Sequence, residues 1–260
     1  MLEVQNVSFR IGKRLILDTV STSFLPGNVS MIIGPNGSGK STLLKIISNE
    51  LKRYSGSISY GGKILTAGQH SSLAKRRAVL AQHSELSFPL TVEEVVMMGR
   101  YPHFKVQPTA HDQLVVNQVL EELNMTRLRF QNYLTLSGGE KQKTHFARAL
   151  AQIREVPVEG CRYLLLDEPI ASLDLNYQHE FLRMARLLAS DNIVVVAVIH
   201  DLNLALQYAD HIVALHHGKV IADNKPQQVI TPSLIDSMYG LKSRILHTDN
   251  LPFPILVTNV

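Results

Sequence analysis

The chain has 260 residues, enough for one large domain, or a domain with a sub-domain, around a real hydrophobic core. With 45% hydrophobic and 18% charged residues it is globular rather than disordered, and a net charge of +4 makes it only mildly basic. That balance fits an ordinary cytoplasmic protein with a weak pull toward anions such as nucleotides or lipid headgroups.

Leu2 to Phe9 roughly alternates apolar and polar residues, the pattern of a half-buried strand. Val29 to Ile33 is a short apolar strand that runs into the glycine-rich stretch Gly34 to Gly39, and Lys40 to Leu51 reads as a helix. Ser55-Gly56 and Gly61-Gly62 punctuate a small β region. From Thr91 to Leu134 the apolar residues fall at helical spacing, with a break at Tyr101-Pro102-His103-Phe104. Tyr163 to Leu166 and Ile193 to Ile199 are short aliphatic runs that suit parallel strands buried on both faces. The expected fold is therefore α/β: a core with a parallel sheet, a small antiparallel β sub-domain and an inserted helical sub-domain. In residue terms, 1–84 and 160–260 form the core with its β sub-domain, and 85–159 the helical part.

The longest aliphatic run, Ile193 to Ile199, falls far short of the roughly 20 residues needed to span a bilayer. Met1-Leu2-Glu3-Val4 lacks the basic start and apolar stretch of a signal peptide. The one cysteine, Cys161, has no internal partner for a disulfide and sits just before an apolar strand, which makes it structural and fits a reducing compartment.

Gly34-Pro35-Asn36-Gly37-Ser38-Gly39-Lys40-Ser41 matches G-x-x-x-x-G-K-[ST], with a strand before it and the helix from Lys40, which continues through Thr42, after it. The glycines let backbone N–H groups face phosphate oxygens, and the helix start adds positive potential. Lys40 is expected to reach the β- and γ-phosphates of ATP, and the Ser41 hydroxyl to bind Mg²⁺. Leu164-Leu165-Leu166-Asp167-Glu168 is an aliphatic strand ending in two carboxylates. Asp167 fits a Mg²⁺ partner acting through water, and Glu168 a general base for the attacking water.

Leu136-Ser137-Gly138-Gly139-Glu140 resembles the signature motif of ABC ATPases. Physically it is a second phosphate site, a glycine-rich helix start with a serine hydroxyl and bare N–H groups. The resemblance implies that it faces the γ-phosphate of ATP held by a second subunit, so that two ATPs lie between two chains arranged head to tail. Gln82 resembles the glutamine that senses Mg²⁺ and the water, and His200, at a strand end, resembles the switch histidine that contacts the γ-phosphate. Ser172-Leu173-Asp174 resembles the loop that couples the two sites across the dimer. The likeness runs over nearly the whole chain in order and spacing. It departs at Ile11, where the family usually has an aromatic residue stacked on adenine, at Lys143, where arginine is usual, and at Ile170, where threonine is usual. Ile11 offers adenine only apolar contact, and strand alternation places the nearby Phe9 inside the sheet.

The segment Phe88 to His103 resembles the ATPases of importers for iron chelates, haem and vitamin B12, in which it lies against the membrane subunit. The extra stretch Ile153 to Arg162 and the run Asp174-Leu175-Asn176-Tyr177-Gln178-His179 lean toward haem rather than siderophore iron. The resemblance implies a homodimer, two copies of a transmembrane permease, an indirect link to a substrate-binding protein, and a peripheral place on the cytoplasmic face of a bacterial inner membrane. Haem ligation by His216-His217 is not expected, since the pair precedes Gly218-Lys219 in a hairpin-like turn. A soluble ABC ATPase acting on nucleic acid or ribosomes is the reading from another class. The roughly hundred residues between phosphate loop and signature hold no heptads and no zinc module, and each motif occurs once. No nucleic-acid partner is expected.

Overall fold

The computed structural model describes residues 1–66, 70–82, 86–157, 160–171, 173–248 and 250–259. In chain order the elements are β1 (Leu2–Ile11), β2 (Arg14–Phe24), β3 (Val29–Ile33), α1 (Lys40–Ile47), β4 (Ser55–Tyr60), β5 (Lys63–Ile64), α2 (His70–Ala74), β6 (Arg77–Leu80), α3 (Val92–Met97), α4 (Ala110–Glu122) and α5 (Gly138–Gln152). They continue with β7 (Arg162–Asp167), α6 (Leu175–Ser190), β8 (Ile193–Val198), α7 (Leu202–Tyr208), β9 (His211–His216), β10 (Lys219–Asn224), α8 (Pro226–Val229), α9 (Pro232–Tyr239), β11 (Lys242–Leu246) and β12 (Ile255–Asn259). The chain divides into two compact units, residues 1–65 with 182–260, and residues 66–181. The second unit is wider than the helical segment 85–159 read from the sequence, because β6 and β7 fall within it.

In the first unit β3 pairs in parallel with β8 on one side and β9 on the other, and β10 closes that edge antiparallel to β9. All five residues of β3 and all six of β8 are buried, as continuous aliphatic runs covered on both faces must be. A separate antiparallel sheet runs in the order β2-β1-β4-β5. Helix α1 is shorter than its apolar pattern suggests. It ends at Ile47 because Asn49 takes a left-handed conformation, φ 62°, just past the Ser48 cap. The β9–β10 turn places His217 and Gly218 at φ 48° and 78°, two positive values in succession, as a tight twisted hairpin requires. The His216 and His217 rings lie on each other, centroids 4.0 Å apart.

In the second unit β6 and β7 pair in parallel, and α3, α4 and α5 pack around Val92, Val95, Val115, Val119 and Phe146, all buried. Each of these helices starts with a reciprocal capping box: Thr91 with Glu94, Thr109 with Asp112, and Ser137 with Glu140. Gly99 has no room for a side chain, since a Cβ there would meet the Arg148 carbonyl oxygen at 2.1 Å. That close approach brings Arg100 into the interior, where it is 0% exposed.

Arg100 is the knot of this unit. Its Nε donates to Asp112 Oδ1 at 3.0 Å, and Nη1 donates to the Ala151 carbonyl at 2.7 Å and to Glu155 Oε2 at 2.6 Å. His103 Nε2 meets the Gln152 carbonyl at 2.8 Å beside it. Burial pushes the Asp112 carboxyl up, but hydrogen bonds from Thr109 and Arg100 outweigh it and hold the group below its usual range. Glu155 behaves alike: burial raises it, and Arg100 more than offsets the rise. Arg100→Met should therefore leave Asp112 buried without its cation and cost about 3–5 kcal/mol of stability in urea unfolding. The sign with pH follows. Both carboxyls titrate lower in the folded chain, so their contribution is full above about pH 5, past the ordinary values of both, and is lost as pH falls through their folded values.

Candidate active site

The phosphate loop leaves the end of β3 and enters α1. Gly34 sits at φ 151°, and a Cβ there would meet the Leu215 carbonyl oxygen at 2.1 Å, so only glycine permits this path. Gly37 and Gly39 are at φ 77° and 106°. Gly39 is the N-cap of α1 and offers no side-chain cap, and no acidic residue lies in the first turn. The start of α1, at Lys40, Ser41 and Thr42, thus carries the positive end of the helix dipole and no acidic side chain to oppose an anion. Pro35 O accepts from Ser38 N at 3.2 Å, and Asn36 and Gly37 form the exposed crest between them.

Lys40 is 5% exposed, and its Nζ donates to the carbonyl oxygens of Gly34 and Pro35 at 2.8 and 3.0 Å. The ammonium is folded into its own loop, where its charge is met by carbonyl dipoles. Ser38 Oγ is buried without a hydrogen-bond partner, an orphaned polar atom within the same cradle. These features fit a bound phosphate chain. At the C-terminal side, Tyr239 closes α9 against the same loop: burial pushes its phenol up, and a hydrogen bond from the Gly34 backbone partly offsets this.

The second unit carries the carboxylates. Asp167 ends β7 and is buried; Glu168 follows in a left-handed conformation, φ 49°. Such a backbone costs on the order of 1 kcal/mol or more for a residue with a Cβ. It turns the Glu168 side chain out of the strand's path, and Gln82 Nε2 donates to Glu168 Oε2 at 2.7 Å. The loop after Glu168 is tied down from two helices. Gln142 of α5 donates to the Pro169 carbonyl at 2.9 Å, and Gln178 of α6 to the carbonyls of Ile170 and Leu173 at 3.3 and 3.0 Å. Neither glutamine stood out in the sequence, although Gln178 lies within the quoted run from Asp174 to His179. Ile170 is buried under this loop, and Lys143 pairs with Glu180 at 3.1 Å.

Ser137 is the N-cap of α5, the signature helix. Glu140 N donates to its Oγ at 3.4 Å, and Glu140 Oε2 accepts from Ser137 N and Oγ at 2.8 and 2.7 Å. These bonds hold the Glu140 carboxyl below its ordinary range. Gly138 has open space where a Cβ would stand, and Gly139 only distant contacts with Leu173 and Tyr177. Gly138 and Gly139 thus add no side chain to the helix start, while the Ser137–Glu140 capping box occupies its Glu140 N–H. Asp174 Oδ1 accepts from Tyr177 N at 3.0 Å at the start of α6; Ser172 of the same motif lies outside the described residues.

His200 is exposed at the end of β8, where Ile199 N donates to the Ile32 carbonyl at 3.2 Å. Asp201 then caps α7, accepting from Asn203 N and Leu204 N. Ile11 ends β1 at 64% exposure, while Phe9 is buried in the sheet. Cys161 is buried and forms no disulfide. Among the described residues no helix is long and apolar enough to cross a membrane, and no group of three or more His, Cys, Asp or Glu is arranged to hold a metal ion.

Comparison with known proteins agrees with this arrangement. The sequence model of the ABC transporter family matches residues 17–171. A hemin import ATP-binding protein of Gloeobacter violaceus is 42% identical over 257 residues, 99% of this chain and 94% of that protein. Its namesake in Shewanella denitrificans is 41% identical over 99% of this chain and 100% of its own length. Among solved structures, an inward-facing transporter described as of the metal-chelate ABC type superposes with TM-score 0.84 at 26% identity, covering 100% of this chain and 97% of that one. A dimeric bacterial ABC transporter cassette gives 0.72 at 26% identity, over 87% and 99%. The chain belongs to the ABC transporter family, as an ATP-hydrolysing subunit with the ABC ATPase fold.

Proposed function

We propose that this chain powers the import of haem, working as a homodimer beneath two copies of a membrane permease that receives haem from a separate binding protein. The observation that carries the substrate is the near full-length match, at about 40% identity, to relatives named for hemin import. In this reading Gly34 to Thr42 hold the phosphates of ATP, with Lys40 leaving the Gly34 and Pro35 carbonyls for the β- and γ-phosphates. Ser41, Gln82 and Asp167 are the residues that would hold Mg²⁺, which neutralises phosphate charge when bound. Glu168 takes the proton of the attacking water, and Gln82, already bonded to it, sets the water's place. His200 steadies the γ-phosphate. Ser137, with the N–H groups of Gly138 and Gly139, serves ATP on the partner chain once its hydroxyl leaves the capping box with Glu140, and Asp174 lies at the coupling loop between the two sites.

The permease face is read from the second unit. A groove of about 670 Å³ beside α3 is lined by Leu90, Met97, Met98, Tyr101, Phe104 and Val106, and Val106 is 88% exposed. Glu93, Glu94, Lys105 and Gln113 complete its lining, and a groove of this mixed character fits a short amphipathic helix from a membrane protein. ATP binding draws the two chains together and hydrolysis releases them, so that differential affinity for ATP in the two states drives the permease. The chain would then sit on the cytoplasmic face of the inner membrane, held there by its partners.

Deleting the gene tests the substrate. Cells starved of free iron should fail to grow on haem yet still use ferric siderophores and take up vitamin B12. Normal growth on haem with a siderophore defect would assign the transporter to ferric chelates and leave the ATPase reading standing.

A further inference from the structure

The C-terminal hairpin is not a free appendage. In the β11–β12 ladder Ile245 stands opposite Leu256. Both main-chain groups of Leu256 are bonded elsewhere: Leu256 N donates to Asn203 Oδ1 at 2.8 Å, and Asn203 Nδ2 donates to the Leu256 carbonyl at 3.1 Å. In an antiparallel ladder, alternate residues turn both N–H and C=O outward, and Leu256 is such a residue. The Asn203 carboxamide thus closes the outer edge of β12 as a neighbouring strand would. Leu256 is itself buried, and so is Pro254 just before it.

Asn203 lies in the first turn of α7, three residues after His200. That helix has only seven residues, too few to hold its own shape in water. Its start is fixed by the Asp201 cap and by this two-bond clamp. A two-stranded hairpin is equally marginal alone, so each stabilises the other. The other end of the same C-terminal segment is anchored where Tyr239 meets the phosphate loop.

We infer that Asn203 is a positioning residue for hydrolysis: by clamping the first turn of α7 to the C-terminal hairpin it fixes the direction of His200. This rests on the proposed role of His200. A small displacement of a group near the reacting atoms is enough to cost one to two orders of magnitude in rate.

The test is single-turnover ATP hydrolysis by the full chain, with ATP affinity and thermal midpoint measured on each variant. Asn203→Ala should lower the hydrolysis rate about tenfold and leave ATP affinity within about twofold of the parent. Asn203→Asp should lose as much. An acidic residue suits a helix start, but here its carboxylate faces the Leu256 carbonyl and lacks the donor. In a His200→Ala background, Asn203→Ala should bring no further loss. An unchanged rate in Asn203→Ala, a wild-type rate in Asn203→Asp, or an equal fold-loss with and without His200 would each overturn the inference. If His200→Ala itself turns over normally, the role of His200 falls and the inference with it. If His200→Ala is inactive and Asn203→Ala is normal, only the inference falls.

Discussion

Glu168→Gln should bind ATP as the parent does and hydrolyse it at least about a hundredfold more slowly. The change is confined to chemistry. An amide oxygen still accepts from Gln82 Nε2, as Glu168 Oε2 does at 2.7 Å, and the left-handed backbone at φ 49° is as open to glutamine as to glutamate. What disappears is the capacity to take a proton from water. The phosphate loop, with Lys40 and the start of α1, is untouched. Steady-state phosphate release and equilibrium binding of a fluorescent ATP analogue separate the two properties. Hydrolysis near the parental rate would remove Glu168 from the role of base.

Ser137→Arg should stop hydrolysis to a similar degree, again about a hundredfold or more, by a different route. Ser137 caps α5 and pairs with Glu140, so its loss costs the helix about 1 kcal/mol, too little to unfold the chain. The guanidinium would occupy the open space beside Gly138 at the helix start. That space serves no group of the same chain's phosphate loop in this account, so ATP affinity of the monomer should be unchanged. A collapse of monomer affinity would mean that the signature contacts nucleotide in its own chain.

Much of this site was legible in the sequence because its chemistry is local. The phosphate loop, the carboxylates ending β7 and the Ser137 cap are each set by spacings of a few residues, and the backbone that those spacings demand is what the structure has. Phe9 is buried on the same face as Val7, as strand alternation requires, whereas Ile11 shares that parity and is exposed because it is the last residue of β1, past a register shift between Phe9 and Arg10. The segment Gly99 to His103 was less transparent. It reads as a permease-facing stretch, yet Gly99 and Arg100 are interior: one is a close approach to Arg148, the other a buried cation shared by Asp112, Ala151 and Glu155. Tyr101 and Val106 keep the exposed role. The stretch from Ile153 to Arg162, which in the sequence only leans toward the haem importers, supplies Glu155 to that knot, although Val158 and Glu159 lie outside the described residues. Asn203 and Leu256 are far apart in the chain, and no local pattern encodes a side chain that completes a strand edge. Helix α1 ends early for a local reason, the left-handed Asn49 just past its Ser48 cap.

Head-to-tail pairing around ATP is the central claim, and sedimentation of the purified Glu168→Gln chain tests it most directly. With saturating ATP and Mg²⁺ that chain should sediment as a dimer, and the same chain carrying Ser137→Arg as well should sediment as a monomer with ATP still bound. A Glu168→Gln chain that stays monomeric when saturated with ATP, or a doubly substituted chain that dimerises as readily, would contradict it.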